Sequence, residues 1–142
     1  LHRRLPDERV LATVAAASMI TDHPLQGEAA VAVARRLLQG ELALPDLPVL
    51  PVDIRFDPRD LDKGVPVQQL FMSSLIVPEV LMRAYEHTPD PAFMSAARIY
   101  LHRFIAYEAG LHWPASYVWN AHGVANRAAV LARYWKLSRQ QE

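Results

Sequence analysis

The sequence has 142 residues, 51% of them hydrophobic and 21% charged, and no cysteine; this composition belongs to one globular domain rather than to a disordered segment. Fifteen basic residues balance fifteen acidic ones, which removes the broad positive field of proteins that bind phosphate backbones, so no nucleic-acid partner is expected. The lack of cysteine excludes disulfides, thiolate nucleophiles and cysteine-ligated zinc. Asp22, Arg35, Glu79 or another polar group interrupts every apolar run before it reaches the roughly 18 residues that span a bilayer, so no membrane partner is expected either.

The sequence opens on Leu1 rather than methionine, from which we expect a processed chain or a piece of something longer, with residues 1–142 forming one helical domain or part of one. Residues 7–20, within PDERVLATVAAASMI, place acidic groups in an opening turn ahead of an alanine-rich run and predict a helix. After Thr21-Asp22-His23-Pro24, the run QGEAAVAVARRLLQG predicts a second helix over 25–39 that stops at Gly40.

Over 41–66 the composition changes. Pro45, Pro48, Pro51, Pro58 and Pro66 forbid a regular helix, yet Leu42, Leu44, Leu47, Val49, Leu50, Val52, Ile54 and Phe56 are too apolar for a solvated linker. We expect an irregular connection packed across the helices, with short extended pieces within it.

Helical periodicity returns over 67–87, with Leu70, Val77, Leu81 and Ala84 on one side and Pro78 forcing a kink or a new start. Thr88-Pro89-Asp90-Pro91 ends that segment, and residues 91–108 place Phe93, Ala97, Tyr100, Phe104 and Tyr107 at steps of four, three, four and three. Beyond a break centred on Trp113-Pro114, Val124, Ala128, Leu131 and Trp135 mark the apolar stripe of a last helix over 120–137. The class expected is mainly α, built from antiparallel helical hairpins.

Functional side-chain types concentrate between Trp113 and Arg127: Trp113, Tyr117, Trp119, Asn120, His122, Asn126 and Arg127 gather at a loop-to-helix junction. On a helix Asn120 and Arg127 share a face, and His122 and Asn126 form an i, i+4 pair on a neighbouring one. Indoles offer apolar surfaces to sugar rings, amides and guanidinium groups donate to hydroxyls or carboxylates, and imidazole exchanges protons near neutrality, as a carbohydrate cleft requires. The same residues also suit a packed interior, with Asn120 as a helix cap and Arg127 paired with a carboxylate of another helix, and spacing alone leaves both readings open.

Elsewhere the signals are weaker. His23, His87, His102 and His112 are dispersed without metal-ligand spacing, so no metal is expected. His102-Arg103 reads as an exposed or hydrogen-bonded pair. Ser73-Ser74 lacks a nucleophile elbow, and no phosphate loop or dinucleotide fingerprint occurs, so no cofactor is expected. Gln68 and Gln69 fit a solvated helix entrance more readily than a cleft wall, and Glu79, Arg83 and Glu86 read as a solvent-facing charge series.

The order of LLQGELALPDLPVLPVDIRFDPRD, QQLFMSSLIVPEVLMRAYEHTPDPAFMSAARIYLHRFIAY and WNAHGVANRAAVLARYW resembles the N-terminal helical part of heparinase II/III-like polysaccharide lyases over most of residues 31–137. Its most specific piece is Trp119-Asn120-Ala121-His122 with Arg127 five residues later; RAYEHTPDPAFMSAA is a weaker echo shared by many helical-toroid proteins. The resemblance implies an incomplete (α/α) toroid, followed in full-length relatives by a β-sandwich, with an acidic polysaccharide held between them. It implies β-elimination beside a uronic acid, in which a neutralised carboxylate acidifies the C5 proton and a base removes it. The family's catalytic asparagine-histidine pair and tyrosine lie on later helices, so no catalytic residue is assigned to Tyr117, Asn120 or His122. Trp119, Asn120, His122 and Arg127 are expected instead as substrate-side residues of an acidic-polysaccharide cleft completed by the rest of a longer chain. The resemblance also implies a periplasmic or secreted setting, although no signal-peptide pattern is read in the sequence. The competing expectation is a noncatalytic helical-repeat domain that scaffolds a longer chain or binds a protein.

Overall fold

The computed structural model describes residues 25–110 and 121–140, the side chains of the second stretch from residue 127 onward. The described residues are mainly helical: α1 Glu28–Leu37, α2 Pro66–Ser73, α3 Ile76–His87, α4 Pro91–Ala109 and α5 Ala121–Gln140, with two short strands, β1 Glu41–Leu42 and β2 Leu50–Pro51. The helix expected over 7–20 lies outside them.

Helix α1 has Glu28 in its first turn and Arg35 and Arg36 in its last, charges that oppose the helix dipole, and it buries Ala30, Val33, Ala34 and Leu37 along one stripe. Beyond Gly40, β1 pairs antiparallel with β2, Glu41 opposite Pro51 and Leu42 opposite Leu50. The proline-rich segment is a packed strap, as its composition predicts: Leu42, Leu44, Leu50, Val52, Phe56 and Leu61 are buried. Phe56 lies at its centre, with ring centroids 5.2, 5.5 and 5.5 Å from those of Tyr100, Phe104 and Tyr107 on α4, the first two edge-on and the third tilted. Of the stripe read from the sequence, Phe93, Ala97, Tyr100 and Phe104 are buried and Tyr107 is half-buried.

Polar ties hold the strap. Asp57 caps a short 3-10 turn, Pro58–Asp62, by accepting the Arg59 backbone N–H. The buried Asp60 carboxylate accepts the Asp53 N–H at 2.7 Å and pairs with Lys63 at 2.7 Å. Gln68 belongs to this system rather than to a cleft or a solvated entrance, whereas Gln69 is half-buried at an entrance whose residues 62–67 are exposed. Gln68 is 2% exposed; its Oε1 accepts the Val65 N–H at 3.0 Å and its Nε2 donates to the Pro48 carbonyl at 2.8 Å. Gln69 Nε2 donates to the Asp62 and Gly64 carbonyls.

The single helix read over 67–87 is two helices, broken at Ser74 and Leu75, and Pro78 accounts for the break. In a continuous helix Pro78 would have no N–H for the Ser74 carbonyl and its ring would collide with it; in the first turn of α3 that N–H is unneeded. Leu75 makes the turn with φ 65°. A left-handed leucine costs about 1–3 kcal/mol and persists only where its surroundings fix it; Leu75 is fully buried.

Helix α3 packs against α1, α2, α4 and α5, so it buries Ile76, Val77, Val80, Leu81, Met82 and Ala84 nearly all round. This corrects the reading of Glu79, Arg83 and Glu86 as a solvated series: Glu79 is 1% exposed and lies 3.5 Å from Arg83 Nε, and only Glu86 reaches the surface, where it pairs with Arg133 of α5. A helix enclosed on several sides keeps no solvent face for a charge row. The α3–α4 turn is closed by Asp90, which accepts the Ala92 N–H at 2.9 Å and the Arg35 side chain at 2.7 Å.

The apolar stripe read for α5 also shifts. Leu131 packs half-buried against the core and the Val124 side chain lies outside the described residues, but Ala128 is exposed and Trp135 is 47% exposed, whereas Arg127, Ala129, Val130, Ala132 and Leu137 are buried. An arginine occupies a core position, in register with Val130, Tyr134 and Leu137 at steps of three, four and three, and a hydrophobic pattern that scores arginine as polar slides off the true face.

Two outcomes test this packing. Gly64 has φ 80°, and a Cβ there would overlap the Gln68 side-chain amide. Gly64→Ala is therefore expected to lower unfolding stability by more than about 1 kcal/mol, whereas Gly110→Ala, at ordinary φ and with only ordinary contacts, leaves the urea midpoint nearly unchanged. Hydrogen bonds from Arg59 hold the Asp57 carboxyl down from 3.8 to about 2. A depressed folded-state value means that this contribution is complete above pH 3.8 and is lost as pH falls through about 2. NMR titration is expected to find the low midpoint, and Arg59→Ala to return it toward 3.8.

Candidate functional site

Of the four substrate-side residues expected from the sequence, Trp119 and Asn120 lie outside the described residues. His122 falls in the first turn of α5, with its backbone described and its side chain not. Arg127 is fully described, and the site is built outward from it.

Helix α2 stops inside the protein, where its last carbonyls need partners. The Ser74 N–H turns back to the Leu70 and Phe71 carbonyls and the Leu75 N–H to that of Met72. The Ser73 carbonyl accepts Arg127 Nη1 at 3.0 Å, a buried bond between residues 54 apart in sequence. A cation suits the partial negative charge at a helix C-terminus, so Arg127 of α5 caps α2 from across the fold. Ser73 is 1% exposed and its Oγ donates to the Leu70 carbonyl at 3.1 Å, which ties up the hydroxyl.

Two further groups among the described residues flank the guanidinium. The Phe104 ring lies 5.9 Å from its central carbon, within the range of cation–π attraction. Glu108 Oε1 is 3.7 Å from Nη2, and the two side chains differ sharply in exposure, 6% for Arg127 and 32% for Glu108. Burial lowers the pKa of the Arg127 guanidinium and the Glu108 charge partly opposes this; arginine remains cationic regardless. Chemically this is a fixed positive charge, suited to holding an anion and unsuited to moving a proton.

A second set of charges was read in the sequence only as a solvated series. Glu79 lies beside Arg83 within α3 and Glu86 pairs with Arg133 of α5, and the pKa of Arg83 is lowered chiefly by burial and next by the Arg133 charge. Their signal was the i, i+4, i+7 spacing of charges within an otherwise apolar helix. Tyr100 is a further buried polar group: its phenol has no hydrogen-bond partner among the described residues, and burial together with Asp60 and Asp53 raises its pKa, so it stays neutral. His102 is exposed on α4 and meets the Tyr134 ring edge-on at 6.4 Å. Among the described residues no three histidine or carboxylate side chains are grouped to hold a metal ion, and no helix is long and apolar enough to cross a membrane.

Comparison with protein families, curated proteins and solved structures finds no significant match.

Arg127→Met is expected to leave the Ser73 carbonyl buried and unpaired, at a cost of about 1–3 kcal/mol, read as a lower urea midpoint at unchanged slope. Arg127→Lys recovers only part of the loss, because a single ammonium cannot serve Ser73 and Glu108 with the geometry of a planar fork.

Proposed function

We propose that this chain supplies the substrate-side helical part, an incomplete (α/α) toroid, of a heparinase II/III-like polysaccharide lyase acting on uronic-acid glycans by β-elimination, and that it is inactive as an isolated chain. The observation that carries this reading is the setting of Arg127. It is a cation held in place by the Ser73 carbonyl, on a helix that begins at Ala121 directly after Trp119-Asn120. In this reading Trp119 offers a ring face to a pyranose, Asn120 and His122 donate to hydroxyl and carboxylate oxygens, and Arg127 contributes the positive charge that a uronate requires. The base that removes the C5 proton belongs to other parts of a longer chain.

A second reading, a noncatalytic helical scaffold, is favoured by the number of cations already paired with carboxylates. Arg35 of α1 pairs with Asp90 of the α3–α4 turn and Arg133 of α5 with Glu86 of α3, while Arg36 pairs with Glu41 and Lys63 with Asp60 along the strap, so these cations tie neighbouring segments together, three of them at the surface.

An array of acidic and neutral oligosaccharides separates the two. The lyase reading expects selective retention of uronate-containing glycans, weakened in Trp119→Ala and His122→Ala proteins whose unfolding midpoints match the parent, and no unsaturated uronate absorbance from the 142 residues alone. Uniform silence of the folded protein toward every acidic glycan decides for the scaffold.

A further inference from the structure

We propose that the outward ridge of α4 is the seat of residues 7–20, the segment whose sequence predicts a helix and which lies outside the described residues. The two helices run antiparallel, with Val14 against Ile99 and the acidic opening at Asp7 and Glu8 beside Arg103.

The ridge is apolar where the outer side of a surface helix is ordinarily polar. Ala92, Ser95, Ile99 and Ala106, at steps of three, four and seven, lie on the side of α4 opposite its buried stripe. All four are exposed, Ile99 to 42%. A helix that is apolar on both sides belongs between two layers, and one layer, the strap with α3, is already in place. Small residues around a single branched one let a second helix approach closely.

The path of the chain brings 7–20 to this side. Leu25 is buried in the core, and a Cβ on Gly27 would stand 3.7 Å from the His87 ring, so the chain enters the described fold beside the turn that starts α4. Residues 21–24 span up to about 17 Å, enough to set the end of the predicted helix against the first turn of α4. From there residues 7–20 as a helix run about 21 Å back along α4, and their opening turn falls level with Arg103.

The patterns on the two helices match. Val10, Leu11, Val14 and Ala17 share one face of the predicted helix, and Asp7, seven residues before Val14, continues it. Arg103 is exposed on the flank of the ridge, and no described carboxylate pairs with it. A second copy of the chain is a poorer occupant. The sole carboxylate of α4, Glu108, is half-buried away from the ridge, so the same ridge of another copy brings Arg103 no opposing charge. One isoleucine among small residues also falls far short of the about 800 Å² that each partner buries in a stable complex. A tethered segment meets the ridge at an effective concentration on the order of millimolar, so a small patch suffices for it.

Engineered cysteines test the seat, since the chain has none of its own. In the full chain Val14→Cys is combined either with Ile99→Cys on the ridge or with Ala32→Cys on the exposed side of α1, and disulfide formation with oxidised glutathione in dilute solution is followed by mass spectrometry. The expected result is a link within one molecule that forms about tenfold faster at 99 than at 32. A second measurement needs no thiol. Arg103→Glu is expected to raise amide hydrogen exchange over residues 10–19 by about threefold, the scale of one surface ion pair, and adding Asp7→Arg to restore it. Equal rates at 99 and 32 describe a loose tail and overturn the seat. Links between molecules overturn it in favour of a second copy, and a missing 14–99 link with exchange that ignores both charge changes overturns it whatever else covers the ridge.

Discussion

A helix that ends in a protein interior exposes carbonyls that water cannot reach, and the arrangement of α2, α3 and α5 follows from how one of them is satisfied. Pro78 ends α2 early by making a continuous helix impossible, Leu75 takes a left-handed turn to redirect the chain, and the stranded Ser73 carbonyl receives Arg127. That bond fixes which face of α5 turns inward. It also draws the acidic end of α4 toward the same guanidinium, so Glu108, Arg127 and Ser73 become neighbours although they come from three helices.

The strap is held by a different balance. Phe56 has φ 68°, a left-handed backbone that a bulky residue adopts only under constraint, and its ring contacts on α4 supply the constraint. Around that plug the backbone is fastened through Asp60, Gln68 and Gln69, which answer donors and acceptors that a proline-rich chain cannot pair in a regular sheet or helix. Apolar burial thus places the segment, and side-chain amides and carboxylates give it a definite path.

Much of this was legible in the sequence. The stripe from Phe93 to Phe104 read correctly because every member is apolar and the steps are regular, and the strap read correctly because prolines and leucines together permit neither helix nor solvated loop. The helix break was legible only as a choice at Pro78, since its exact place depends on Leu75 accepting a turn that local preference disfavours. The inward face of α5 and the enclosed charges of α3 were illegible for one reason. Pattern reading assigns arginine and glutamate to water, whereas here Arg127 and Glu79 sit at core positions beside partners supplied by distant segments. Of the residues expected on a substrate side, Arg127 alone has a described side chain, and its bond to a backbone carbonyl 54 residues away leaves no trace in local spacing.

Because α5 meets its neighbours through two arginines as well as through a thin row of small apolar side chains, its docking is selective more than it is strong. A purely greasy helix can slide by one turn and lose little; this one cannot move along its axis without dragging a cation away from the carbonyl that anchors it. Alignment is thereby uncoupled from the outward residues, which evolution can rewrite freely while the helix keeps the same address.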